Sequence, residues 1–216
     1  MAYLVGLLTS DGCLIGDGRH IALTSKDIDI IQMTQTILHK EHLKIGTKIG
    51  QFKTSTYQFQ FADAALYDFL ILAGITPAKS KTIQSVDLPD EYYFAFLRGH
   101  FDGDGTIYGY IDPRWNKSYM YYTSFASASP NFLVWLDGQN ARLIGTSPGK
   151  IQSKTRVHTL TYAKKNSRLI FHAMYHNRPA YKLTRKYDKF MDFITSDSCG
   201  KITPVRASGG MVDTHA

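Results

Sequence analysis

Apolar residues along this chain fall into helical and strand periods that alternate in one order, and that order occurs twice. Leu4-Val5-Gly6-Leu7-Leu8 and Phe96-Leu97-Arg98-Gly99-His100-Phe101 are short apolar runs at helical spacing. Each closes on an Asp-Gly pair, Asp11-Gly12 and Asp104-Gly105, whose glycine acts as a stop. Pro89-Asp90-Glu91 ahead of the second run predicts an N-cap and an acidic first turn. Strand-like stretches follow at residues 20–24 and 119–126, then helical ones at 27–39 and 130–143. Leu43-Lys44-Ile45-Gly46-Thr47 matches Arg142-Leu143-Ile144-Gly145-Thr146, and each leads into a predicted hairpin, residues 48–61 and 150–162. Helices are predicted at 64–73 and 167–175, with a last one at 181–194. Each half therefore reads helix, two strands, helix, two strands, helix, which predicts an α+β fold of two pseudo-symmetric half-domains. The expected divisions are an N-terminal half (1–76), a linker (77–89), a C-terminal half (90–194) and a flexible tail (195–216) rich in Ser, Gly and Thr.

Charge sharpens the picture. The 216 residues carry 25 Lys and Arg against 18 Asp and Glu, a net +7, and the pI is about 9.3. An excess of this kind draws polyanions. Hydrophobic residues make up 44% and charged residues 20%, which excludes a disordered chain. No apolar run approaches the roughly 18 residues of a membrane span, and MAYLVGLL lacks a basic leader and is soon broken by Ser10-Asp11-Gly12. Cys13 and Cys199 make neither a disulfide framework nor a metal cluster. The expectation is an intracellular protein, in the cytoplasm or an organelle of its host.

Basic and amide side chains gather on the predicted strands. Lys150, Gln152, Lys154, Arg156 and His158 share one parity, and no acid lies between residues 150 and 162. Around the first hairpin stand Lys48, Gln51, Lys53, Gln58 and Gln60. Arg19, Tyr108, Arg114 and Lys117 complete the candidate DNA contacts. Lys or Arg suits guanine and Gln suits adenine, and a two-stranded ribbon fits the major groove.

Asp11 and Asp104 carry the candidate catalysis. Each ends an apolar helix, where carbonyls point outward and the dipole is negative, so a carboxylate there is destabilised without a cation. Two such helices side by side would form a hard-oxygen site suited to Mg²⁺, with Mn²⁺ or Ca²⁺ able to substitute. Gly6 and Gly99, each five residues before its aspartate, would let the helices approach closely. One Asp-Gly pair alone is ordinary turn chemistry; two at matching places in a duplicated chain are not.

These two segments resemble the paired motifs of the LAGLIDADG homing endonucleases. Residues 96–105 lie close to the usual second motif, and Arg185-Lys186-Tyr187 is similar to a common ending. The resemblance spans most of the chain. It implies two αββαββα halves, each with a four-stranded antiparallel sheet forming a saddle over DNA, and motif helices at the interface between them. It implies a monomer that cleaves both strands of a long asymmetric site with Mg²⁺, using Asp11 and Asp104 as metal ligands. Lys26 and Lys164 take the place of one basic helper per active site. The alternative on the same fold is an intron RNA maturase or a DNA-binding regulator that does not cleave.

Overall fold

A computed structural model of the chain describes residues 1–49, 55–112 and 118–199. Helix α1 (Ala2–Ser10) leads straight into strand β1 (Gly12–Leu14), which turns back as β2 (His20–Ser25). Helix α2 (Ile28–Leu38) precedes the hairpin β3 (Gly46–Ile49) and β4 (Ser55–Ala62), and α3 (Ala64–Leu72) closes the half. The second half repeats the order: α4 (Tyr93–Asp104), β5 (Gly105–Asp112), β6 (Ser118–Ser127), α5 (Pro130–Ile144), β7 (Lys150–Ser153), β8 (His158–Ala163) and α6 (Lys164–Tyr175). A final helix, α7 (Thr184–Cys199), runs past residue 194, where the sequence reading placed its end.

The two sheets have the same topology, β1-β2-β4-β3 and β5-β6-β8-β7, and every pairing is antiparallel. The first strand of each half is the least legible in the sequence, because β1 is three residues long and both strands open on the motif glycine. Helices α2 and α3 cover one face of the first sheet, and α5 and α6 one face of the second. The opposite faces are left without helices.

Local signals explain most helix ends. Asp63 caps α3 by accepting from the Leu66 N–H at 3.0 Å. Pro130 stands in the first turn of α5, and Gly145 ends that helix in the left-handed region at φ 67°. Three readings need correction. Asp90 does not cap α4: it lies in a short 3₁₀ turn, Asp90–Tyr92, and its carboxylate takes a forked pair of hydrogen bonds from Arg142. The Leu-Lys-Ile-Gly-Thr match is not structurally equivalent. Gly145 terminates α5, whereas Gly46 begins β3 well past the end of α2, because α5 is a turn longer. Finally, α6 begins at Lys164, three residues before the predicted 167.

The halves share one core. Leu4, Leu7 and Leu8 of α1 pack against α4, whose Phe96, Leu97 and Phe101 are fully enclosed. The stretch expected as a linker also reaches the interior: Ile83 and Val86 are buried, and the Ser129 hydroxyl donates to the Ile83 carbonyl.

Candidate nucleic-acid interface and carboxylate centre

Two glycines set the spacing of the centre. A Cβ on Gly6 would lie 2.0 Å from the Phe96 carbonyl oxygen, and one on Gly99 would lie 2.0 Å from that of Tyr3. Both obstacles are backbone, so α1 and α4 touch main chain to main chain at two matching points. The contact brings their C-terminal ends together, where Asp11 and Asp104 line one cleft of about 450 Å³. A Cβ on Gly103 would come within 3.1 Å of an Asp11 carboxylate oxygen, so the two helix ends lie close.

Both carboxyls resist ionisation. Burial, then the Asp104 charge, pushes Asp11 up to about 7, against the pull of Lys186 and Lys79. Burial raises Asp104 as well, opposed by the same two lysines. Asp104 is nonetheless open to solvent across the cleft, so a ligand can reach it.

The positive charge at the helix ends comes from two buried lysines. Lys186 of α7 donates its ammonium to the carbonyls of Phe101 (2.7 Å), Asp102 (2.7 Å), Gly103 (3.0 Å) and Gly105 (2.6 Å), at the end of α4. Lys79 donates to the Gly12 carbonyl, just beyond α1. Each half thus supplies a lysine, from the segment after its third helix, to the negative end of its own motif helix. Burial lowers Lys186 to about 8 despite the neighbouring carboxylates, and it lowers Lys79 too. Asp102 is tied into the same junction, accepting from the Tyr3 hydroxyl of α1 (2.8 Å) and the Leu183 N–H (2.7 Å). Thr9, at the matching place in α1, donates only to its own helix, at the Val5 carbonyl (2.8 Å).

The surroundings of the two carboxylates differ. The main cleft is walled by Lys26, Asp27, Arg185 and Lys186. Arg185 grips Asp27 with two hydrogen bonds of 2.7 and 2.6 Å, clamping α7 to the start of α2 and holding the Asp27 carboxyl below its ordinary range. A second cavity, about 190 Å³, flanks Asp104 on the other side, and its wall is mostly small or apolar: Ala126, Ala128, Phe132 and Val157, with Ser10 and Ser127. His100 lies beneath it with neither ring nitrogen partnered, and burial depresses it to about 3, so it is neutral.

Of the two lysines expected as helpers, only Lys26 lies at the carboxylates. Lys164 is at the base of α6, its ammonium donating to the Tyr119 carbonyl (3.3 Å) above the Tyr121 ring. Tyr119 is six residues along β6 from Phe125, which pairs with Gly105 beside Asp104. That separation is about 20 Å of extended strand, so Lys164 does not serve the centre. The sequence reading gave no role to Lys79 and quoted Lys186 only within the ending Arg185-Lys186-Tyr187, although Lys79 follows the third helix of its half and Lys186 the third helix of the other.

The strand registers place the candidate DNA contacts. Lys48, Gln58 and Gln60 point from the helix-free face of the first sheet, as do Tyr108, Lys150 and Gln152 from the second. Arg19 is exposed in the β1–β2 turn. The run from Lys150 to His158 is not one face of one strand. A turn closed by Lys154 N–H to the Val157 carbonyl (2.9 Å) carries Lys154 and Arg156, and His158 pairs with Ser153 on the core side. Gln51, Lys53, Arg114 and Lys117 lie outside the described residues.

Two antiparallel sheets of identical order, joined through a pair of glycine-crossed helices, match a known architecture. The chain has the LAGLIDADG fold. It superposes on LAGLIDADG homing endonuclease I-GzeII in complex with its DNA target with a TM-score of 0.60, at 9% identity over 91% of this chain and 89% of that one. On I-SmaMI bound to cleaved DNA the values are 0.58, 13%, 91% and 88%. Full-length DUF199/WhiA from Thermatoga maritima gives 0.59 at 12% identity over 94% of this chain, which spans 61% of that protein. No protein-family model and no curated protein sequence matches the chain. At these identities the likeness is one of fold. No described helix is long and apolar enough to cross a membrane.

Proposed function

We propose that this chain is a divalent-metal-dependent DNA endonuclease that cuts both strands of a long asymmetric site. One observation carries the reading: two carboxylates from different halves share a cleft that disfavours their ionisation. The donor set suits a hard cation completed by its substrate. No group of three His, Cys, Asp or Glu side chains occurs among the described residues, and Mg²⁺ is commonly held by one or two carboxylates, with water and phosphate oxygens filling the rest. When bound there, such an ion supplies an activated water and neutralises charge developing on the phosphate.

The chain's own residues do the remainder. Asp11 and Asp104 hold the cation. Lys26 reaches the phosphate side of the cleft, and Lys186 and Lys79 keep the helix ends rigid and the local field positive. The helix-free faces of the two sheets align the duplex, with Lys48, Lys150 and Arg19 meeting phosphates and Gln58, Gln60 and Gln152 meeting base edges. The DNA carried by the I-GzeII and I-SmaMI structures supports a nucleic-acid partner.

The test uses a randomised duplex library with Mg²⁺. The wild-type chain cleaves a subset of members, while Asp11→Asn and Asp104→Asn bind that subset and leave it intact. A wild-type chain that binds DNA and cleaves no member overturns the reading. That outcome would favour the second one, nucleic-acid binding without hydrolysis, to which the poorly charged second cavity would then belong.

A further inference from the structure

The helix-free face of the second sheet has an unusual composition. On β5, short of its last residue Asp112, the outward positions run from Thr106 to Tyr110, and on β6 and β8 they run from Met120 to Ala126 and from Thr159 to Ala163. Every one of them is a hydroxyl, aromatic or apolar residue and none is charged, while Lys150 and Gln152 share the face on the edge strand β7. Three tyrosines form a ladder across it. Tyr122 stacks on Tyr108 (5.5 Å between centroids, 18° between planes) and on Tyr110 (5.8 Å, 12°), and the Tyr110 and Tyr122 hydroxyls lie 3.2 Å apart. Tyr108 is 43% exposed and Tyr110 44%. Met120 stands opposite Tyr110, extending the apolar strip.

We propose that this sheet reads its half of the DNA site mainly through thymine methyl groups, so that the half-site beneath it is rich in A·T pairs. The inference rests on the endonuclease reading and adds the class of sequence recognised. In the major groove the C5-methyl of thymine is the apolar feature, whereas guanine offers two acceptors that call for Arg or Lys. The strip offers rings, a thioether and the methyls of Thr159 and Thr161, and no guanidinium or ammonium on these three strands. The first sheet differs in where its amides lie: Gln58 and Gln60, which can bond adenine, stand on its inner strand β4, whereas Lys150 and Gln152 of the second sheet are confined to the edge strand β7. Unpaired bases are a poorer fit, because the Tyr122 ring is already stacked with two neighbouring rings.

The test selects binders from a randomised duplex library with the full chain and Ca²⁺ in place of Mg²⁺. The expected winners are A·T-rich over one half. Replacing thymidine by deoxyuridine in that half deletes methyls alone and leaves the protein untouched. It should weaken binding by about fourfold per contacted methyl, while the same change in the other half costs less. Tyr108→Ser and Tyr122→Ser should weaken binding to the thymine duplex and remove its sensitivity to uracil. Selected duplexes with G·C pairs over both halves, or binding indifferent to uracil, overturn the inference and leave the endonuclease reading standing. Failure to bind any duplex, or tighter binding of single strands or RNA, overturns both.

Discussion

Replacing Asp11 with asparagine removes a charge that the fold holds against its own stability. Moving a carboxyl from its ordinary 3.8 to about 7 corresponds to about 4 kcal/mol of disfavoured ionisation. Asp11 is half-buried in an open cleft, and solvent screening reduces this to about 1–2 kcal/mol. The sign follows from the direction. A carboxyl raised on folding favours the native state below about pH 4, and that contribution is lost as pH rises through about 7. In chelator at pH 8, Asp11→Asn should therefore melt roughly 3–6 °C above wild type, with the gap closing toward pH 4. Added Mg²⁺ should raise the wild-type midpoint by mass action and leave the variant nearly unmoved. Scanning calorimetry across pH, with and without Mg²⁺, reads both effects. A variant less stable than wild type in chelator at pH 8 would refute the argument that the cleft disfavours the anion. Equal responses to Mg²⁺ would refute the assignment of Asp11 as a ligand.

Four further outcomes are expected. Lys186→Met strips the donor from four carbonyls at the end of α4 and should cost about 2–4 kcal/mol in urea unfolding; a midpoint unchanged from wild type contradicts it. Gly99→Ala should prevent folding, since its methyl meets the Tyr3 backbone, whereas Gly138→Ala, in α5 with open space around it, should gain about 0.5–1 kcal/mol; circular dichroism melts that rank the two otherwise would sink the packing argument. His100→Phe should stabilise by about 1–2 kcal/mol by removing unpaired buried nitrogens, and a lowered melting point tells against it. In single-turnover cleavage Lys164→Ala should match wild type while Lys26→Ala is slowed; the reverse order would restore Lys164 to the centre.

Legibility in the sequence followed how local each cause was. Gly6, Gly99, Asp11 and Asp104 stood out because close helix contact and a helix-end carboxylate each demand one residue type at one place, and the demand recurs at a spacing of 104 − 11 = 93 residues. Helix caps such as Asp63 and Gly145 were equally local. Lys79 and Lys186 were not legible: each sits among other charged or polar residues, Lys-Ser-Lys and Arg-Lys-Tyr, and so looks like solvated surface until the chain returns it to the end of a motif helix. Lys164 misled for the converse reason, since the end of a strand can be counted in sequence but its distance from the carboxylates depends on which end of the sheet faces them. His158 misled because a turn at residues 154–157 resets the strand parity, so alternation cannot be carried across it.

The main-chain crossing at Gly6 and Gly99 also bears on how such a protein can diversify. Each half is cast against the backbone of the other, with no room for a single methyl at either point. A half borrowed from a distant protein would bring a different backbone to the crossing and would displace the carboxylates it carries. The halves are thus poor modules for shuffling. The sheet faces lie away from the crossing and are under no such restraint, so new recognition in this lineage is expected to arise by substitution on the strands, within a pair of halves that stay together.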